Sequence, residues 1–360
     1  MAVITYKCPN CGGGLVFDPK SQQFKCEYCL SGFSEEELKA RAGAAEEDSG
    51  APPGEDRVPP RTKSADTETA MMVYSCPSCG AEIVAEETTA ATSCYYCHNP
   101  VVLSGKLDGA YEPDSVIPFE VDQKTARERF KEWIGKKRYV PGDFYSPEQM
   151  KKLEGIYYPY WTFGCTVEGS LKAEGIRNKN ISAVNGYVDV ETSRFAVELE
   201  GKMQIGHVAR TALKKADRQL SERVLPFDME KTRPFKAGYL SGFRAERRDR
   251  GQEEFSEEVE SEVRSFARET LLGNVAGYDQ VRVQEQTENI KDRSWSYCLF
   301  PVWIMTYQRR KDGKIYYFAM NGQSGKICGM LPVDGKKLAV LFMSVFLPIF
   351  LLLLIGGYLI

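Results

Sequence analysis

The chain has 360 residues, 42% hydrophobic and 27% charged, with 47 basic and 50 acidic side chains and a net charge of −3 at pH 7. This is an ordinary globular composition, long enough at about 150 residues per domain for more than one domain, and its charge balance excludes a strongly basic polyanion-binding protein. Two histidines leave little material for histidine-based catalysis, whereas eleven cysteines require an account.

Cys8, Cys11, Cys26 and Cys29 recur 68 residues later as Cys76, Cys79, Cys94 and Cys97, so the pattern C-x2-C-x14-C-x2-C occurs twice. A C-x2-C turn aims two thiolates at one ion, and a hairpin of about 14 residues returns the second pair, which is the spacing of a tetrahedral zinc ribbon. Two disulfide pairs or chance spacing are the other readings, and the identical repeat favours zinc. Each quartet is complete, so the ions are expected to be structural, two per chain. His98 follows Cys97 directly and reads as a solvated neighbour rather than a replacement ligand.

In chain order, residues 1–43 read as the first ribbon followed by a short helix, which Ser34 and Glu37 open as a capping box and which runs through Arg41. Residues 44–70 hold four prolines and no aromatic residue, which predicts a flexible acidic linker between independently folded metal modules. Residues 71–106 are the second ribbon.

Residues 107–337 form the body, predicted to be α+β with a mainly antiparallel sheet. A helix starts at about Asp122 with Ala126, Phe130, Trp133 and Ile134 on one face; Ser146 caps a second, with Pro147 in its first turn, ending near Gly155. The stretches YYPYWTFGCTVEG, NGYVDVETSRFAVELE and KMQIGHVART alternate apolar with polar residues and read as strands. Gln252 to Leu271 reads as an amphipathic helix whose stripe of Phe255, Val259, Val263 and Phe266 packs on the sheet. Asp312-Gly313 and Asn321-Gly322 are hairpin turn signals.

Residues 338–360 contain no charged side chain over 23 residues, about 35 Å of helix and enough for a hydrocarbon core of about 30 Å. This predicts a single transmembrane helix, with a kink or a re-entrant hairpin at Pro348 as the alternatives. Lys336 and Lys337 precede it and nothing charged follows, which places the N-terminal part in the cytoplasm. A reducing cytosol also keeps thiols available for zinc, and no cleavable signal peptide is evident.

His207 reads as a packed or surface residue, and Cys165, Cys298 and Cys328 as small buried hydrophobes rather than nucleophiles. Tyr158, Tyr160, Trp161, Phe300 and Trp303 read first as core. No phosphate-binding loop appears, since NGQSGK lacks the spacing. Nucleic acid is the main alternative partner for zinc ribbons, but residues 1–106 carry nine basic against fifteen acidic side chains. Arg244, Arg247, Arg248 and Arg250 read as a solvated loop.

The segments CYYCHNPVVLSGKL, VIPF, YVPGDF, GIYYPYWTF, PVWIMTY and FAMNGQSGKICGMLP resemble the bacterial family of TFIIB-type zinc-ribbon-containing membrane proteins, the YdjG-like proteins of bacilli. The resemblance implies a membrane-bound partner of SPFH-type and PspA-like envelope-stress proteins and supplies no catalytic residue. The expectation is therefore a non-enzymatic, tail-anchored adaptor that uses its ribbons to recruit cytoplasmic proteins at a lipid bilayer. A membrane-tethered nucleic-acid-binding regulator is the alternative.

Overall fold

The computed structural model describes residues 6–34, 36–38, 71–80, 82–94, 99–103, 107, 109–184, 187–216, 218–309 and 313–359. The expected linker at 44–70 and the far end of the first short helix lie outside the described residues. The fold is α+β with mostly antiparallel pairing. It divides into two compact units, one of residues 1–159, 215–247 and 299–360, the other of residues 160–214 and 248–298.

The first unit begins with a three-stranded antiparallel sheet of β1 (Leu15–Asp18), β2 (Gln23–Cys26) and β3 (Gly32–Phe33). Leu15, Phe17, Phe24 and Phe33 are buried, with Leu15 and Phe17 two residues apart on one face of β1, as period-2 patterning requires. Ser34 Oγ accepts from the Glu37 N–H at 3.2 Å and the Glu37 carboxylate accepts from the Ser34 N–H at 2.8 Å, the expected capping box.

This sheet does not stand alone. The Phe17 N–H donates to Ser241 O at 3.0 Å, Gln22 Nε2 donates to Phe119 O at 2.8 Å, and the Phe17 ring meets Tyr239 edge-on at 5.2 Å. The module, read from the sequence as an independently folded unit on a linker, is docked on the body. Apolar pairing across long sequence separations carries no local signal, which is why the sequence reading misses it.

In the second cysteine module β4 (Met71–Ser75) pairs with β5 (Glu82–Glu86), and β6 (Thr89–Ser93) pairs with β7 (Pro100–Val102). Tyr74, Cys76, Ile83, Ala85, Cys94, Val101 and Leu103 form its core. A ten-stranded sheet includes β6 and β7, β8 (Ser115–Val116), β9 (Glu154–Val184), β10 (Tyr187–Thr211), β11 (Arg233–Pro234), β12 (Arg244–Glu246), β13 (Gln280–Gln308), β14 (Ile315–Asn321) and β15 (Ile327–Met330). The module joins this sheet through β6, which pairs with β12 at Ala91 and Ala245.

Helix α1 (Gln123–Gly135) is capped by Asp122, which accepts from the Thr125 N–H, and it buries Ala126, Phe130 and Ile134. Phe130 meets Phe318 edge-on at 4.6 Å, and Trp133 packs on the same ring at 5.6 Å. Ser146 caps α2 (Pro147–Met150) as expected, but this helix ends five residues before Gly155, because β9 already begins at Glu154. Gly155 is required there by proximity: a Cβ would lie 2.6 Å from the Phe243 ring. A further short helix, α3 (Arg218–Arg223), precedes β11.

In the second unit the three strand-like stretches form one long hairpin, β9 against β10, with bulges at Asp189/Val190 and Ile205/Val208. Along β9, Phe163, Cys165, Val167, Leu171 and Ala173 are buried in alternation with partly exposed neighbours. Helix α4 (Ser256–Gly273) buries Val259, Val263, Ala267 and Leu271, and Leu271 packs with Leu171 and Ala173. Phe266, expected on the stripe, is 57% exposed. A row repeating every four residues drifts by about 40° per step around a 3.6-residue helix. By the last two turns the buried face has therefore rotated away from Phe266.

Helix α5 (Gly335–Leu359) runs unbroken through Pro348, as a single helix rather than a re-entrant hairpin. Its stretch Gly335–Ile355 has a mean hydropathy of 3.0 and is buried nowhere, so it is long and apolar enough to cross a membrane.

Candidate metal centre

The C-x2-C turns fold by one local rule. The Gly12 N–H donates to Cys8 O at 2.9 Å, the Gly80 N–H to Cys76 O at 2.8 Å and the Leu30 N–H to Cys26 O at 3.0 Å. Each donor has left-handed backbone, with φ of 74°, 75° and 62°. Glycine reaches this region without a Cβ clash and leucine does so under strain, so Leu30 is held there by the knuckle around it. Its side chain is 81% exposed and Tyr28 beside it is 68% exposed. Sequence reasoning missed this apolar tip, whose sign is a leucine where the turns at Cys8 and Cys76 are followed by glycine.

The Sγ atoms of Cys8, Cys11, Cys26 and Cys29 all lie within 4.8 Å of one another. Cys8 and Cys29 are 3.5 Å apart and Cys11 and Cys26 are 3.4 Å apart. A disulfide needs about 2.05 Å. Four thiolates about 2.3 Å from a tetrahedral ion have edges of about 3.8 Å, and these two pairs lie within a few tenths of an ångström of that. The Asn10 N–H approaches Cys8 Sγ at 3.4 Å, a donor aimed at a sulfur that carries negative charge when metallated. Cys8 and Cys26 are buried while Cys11 and Cys29 face solvent.

The second cluster repeats this arrangement. Cys76, Cys79 and Cys94 lie within 4.8 Å of one another with the same buried and exposed alternation, and Cys79 and Cys94 are 3.7 Å apart. Cys97 and His98 lie outside the described residues. The seven described cysteines are thus brought together as two groups that could each hold a metal ion.

The thiols of the first cluster do not share charge evenly. The Ser31 hydroxyl and N–H favour the Cys29 thiolate and bring its pKa down to about 6. At Cys11 the Gly13 N–H favours the thiolate, but hydrogen bonds to Cys26 and Cys29 outweigh it and push the thiol up to about 12. A cation among the four sulfurs would override that imbalance, since a coordinating thiol is deprotonated outright.

Both clusters border one cavity of about 920 Å³, which Cys26 and Cys94 help to line. On its wall Arg244 pairs with Glu154 at 3.3 Å, and nearby the buried Glu246 carboxylate accepts from Thr88 Oγ1 at 2.7 Å and pairs with Lys215 at 3.0 Å.

The four arginines expected in a solvated loop are placed otherwise. Arg244 lies in β12; Arg247 pairs with Glu87 at 2.8 Å; Arg248 stacks over Trp161 at 5.0 Å; Arg250 pairs with Glu254 at 3.0 Å. Each is committed to an acid or a ring, so together they do not form an open phosphate-binding surface.

Tyr160, Trp161, Phe300 and Trp303 are buried and Tyr158 is half-buried, in keeping with a core role. Cys165 and Cys298 are buried and Cys328 is partly so; burial raises the Cys165 and Cys328 thiols. His207 is exposed at the β10 bulge with φ of 47°.

A further site was invisible in the sequence. Asn321, fully buried, donates to Val224 O and Pro226 O at 2.9 and 3.0 Å and accepts from the Gln323 and Ser324 N–H groups at 2.9 Å each. The expected Asn321-Gly322 turn is instead a longer loop whose left-handed residue is Gly325, at φ 77°. Gly322 serves packing: a Cβ there would lie 2.5 Å from the Phe119 ring.

No family model matches the chain, and no solved structure matches it. A protein named YdjG from Bacillus subtilis (strain 168), itself uncharacterized, is 28% identical over 343 residues, covering 95% of this chain and 94% of that protein. The similarity therefore spans nearly the whole of both chains, and it brings no activity with it.

Proposed function

We propose that the chain is a non-enzymatic adaptor, tethered to the bacterial cytoplasmic membrane by α5, with its body in the cytoplasm and a structural zinc ion in each cysteine module. The observation that carries this reading is the first module's exposed pair, Tyr28 within the Cys26–Cys29 knuckle and Leu30 directly after it. Exposed aromatic and aliphatic side chains on a rigid frame suit a protein contact. Cys8, Cys11, Cys26 and Cys29 would fill all four positions of one ion, and Cys76, Cys79, Cys94 and Cys97 those of the other. That leaves no open coordination position for catalysis and makes each ion a fold element. The positive-inside rule, applied to Lys336 and Lys337, supports the orientation.

Partners of SPFH type or PspA-like proteins fit such an adaptor. Crosslinking followed by capture from detergent-solubilised membranes is expected to recover a cytoplasmic or membrane-scaffold protein with the wild-type chain and to lose it with Tyr28→Ala/Leu30→Ala. Equal recovery with the variant refutes the assignment of that surface. Metal analysis is expected to find two zinc ions per chain, falling to one in Cys11→Ser/Cys29→Ser; an unchanged metal content in that variant refutes the first site.

A further inference from the structure

The loop after α1 is stitched to the start of the apolar helix. The Asp334 N–H donates to Tyr139 O at 2.8 Å, and Lys337 Nζ donates to Val140 O at 2.8 Å. Lys336 and Lys337 stand in the first turn of α5, so whatever level that turn occupies, residues 136–140 occupy it too. Those residues read KKRYV, and Lys136, Lys137 and Arg138 are all exposed. Lys131 on α1 and Lys151 after α2 extend the same sign of charge, on the rim of a groove of about 490 Å³ whose floor includes Ile134, Pro147 and Met150.

From Lys124 to Lys152 the chain carries nine basic and four acidic side chains, a net of +5 in a protein whose overall charge is −3. The four acidic members are already counted in that net of +5: Glu132 pairs with Lys136, Asp143 is engaged by the Tyr307 hydroxyl at 2.5 Å, and Glu128 and Glu148 are exposed.

We propose that this face, Lys131, Lys136, Lys137, Arg138, Lys151 and Lys336, binds the anionic phospholipid headgroups of the bilayer that α5 enters. A basic patch fixed beside a membrane helix lies within a screening length, about 8 Å at physiological salt, of the charged surface. The groove gives a headgroup a cationic rim and an apolar floor for the first methylenes below it. The bilayer then positions the body as well as tethering it, because α5 alone leaves rotation about its own axis unconstrained. This proposal rests on the membrane-tether reading of α5.

The test uses the full chain in nanodiscs of phosphatidylcholine alone or of phosphatidylcholine with phosphatidylglycerol, read by amide hydrogen exchange. Residues 136–140 and 147–152 are expected to exchange about fivefold more slowly in the anionic discs, an effect of the size that one surface cation supplies. The difference is expected to vanish at about 1 M salt, where screening shortens to about 3 Å, and in Lys131→Gln/Lys136→Gln/Arg138→Gln/Lys151→Gln. Lys137 and Lys337 are left in place in that variant because they contact Trp133 and Val140. Equal exchange in both discs, with α5 protected in each, overturns the proposal while leaving the tether intact. Release of the chain from bacterial membranes by alkaline carbonate overturns the tether itself. Slower exchange of the same peptides on adding duplex DNA to phosphatidylcholine discs assigns the patch to nucleic acid and also overturns the proposal.

Discussion

Asn321→Ala removes four hydrogen bonds at once from a side chain with no exposed surface. At about 0.5–1.5 kcal/mol net for each bond, with a further penalty where the Gln323 N–H or the Val224 carbonyl stays buried and unpaired, the first unit is expected to lose about 3–5 kcal/mol. The assay is urea unfolding of the full chain in detergent, in a Trp161→Phe/Trp295→Phe background, so that Trp133 and Trp303 report on the first unit alone. Asn321→Asp separates the two halves of the network. It keeps an acceptor for the Gln323 and Ser324 N–H groups but places a carboxyl against two carbonyl oxygens, which raises its folded pKa. A raised pKa makes the variant's relative stability greatest below about pH 3.9 and lost as pH rises through the folded value, the reverse of a salt-bridged carboxylate. A loss below about 1 kcal/mol for Asn321→Ala, or an Asn321→Asp variant whose extra instability does not grow with pH, would refute the reasoning.

Gly322→Ala is expected to cost about 1–3 kcal/mol, since its Cβ would meet both the Phe119 ring at 2.5 Å and Pro301 O at 2.8 Å; Gly135→Ala, in the same unit with nothing within 4 Å, is the control expected to be near neutral in the same unfolding assay. Hydrogen bonds first from Lys202 and then from Lys291 hold the Glu168 carboxyl down to about 2. Its stabilising contribution is therefore present above about pH 4.5 and lost as pH falls toward 2, so Glu168→Gln is expected to lower stability near neutrality at low salt, to match the wild type near pH 2, and so to flatten the acid limb of the stability profile. On α4, Val263→Ala is expected to cost about 1–3 kcal/mol and Phe266→Ala less than about 0.5 kcal/mol, measured by thermal unfolding; equal losses would restore the stripe read from the sequence.

The local features were legible because their causes are local. Two cysteines with two residues between them, Asp122 and Ser146 as caps, the Ser34–Glu37 box and the uncharged stretch after Lys337 each act within a few residues. The two cysteine clusters were legible for the same reason, as far as seven described cysteines show. What the sequence concealed depends on separation. Nothing near Leu15 announces Ser241, nothing in NGQSGK announces the 224–228 backbone that Asn321 fastens, and the arginines of β12 and its sequel show their carboxylate partners only once the sheet brings them together. Phe266 was misread for a different reason: a straight stripe was assumed where the packed row slants.

The docking of the first cysteine module on Ser241 sets an order of events during synthesis. Cys29 leaves the ribosome 212 residues before Ser241, which at about 5–20 residues per second is an interval of roughly 10–40 s. For that time the module's apolar face has no body to cover it and its four thiols have no shelter but one another. An ion held by the four thiols, as proposed above, would close the knuckles early, and the body, arriving later, would fold around a module already set. In a cell short of the ion, that interval is when the nascent chain is most open to misassembly.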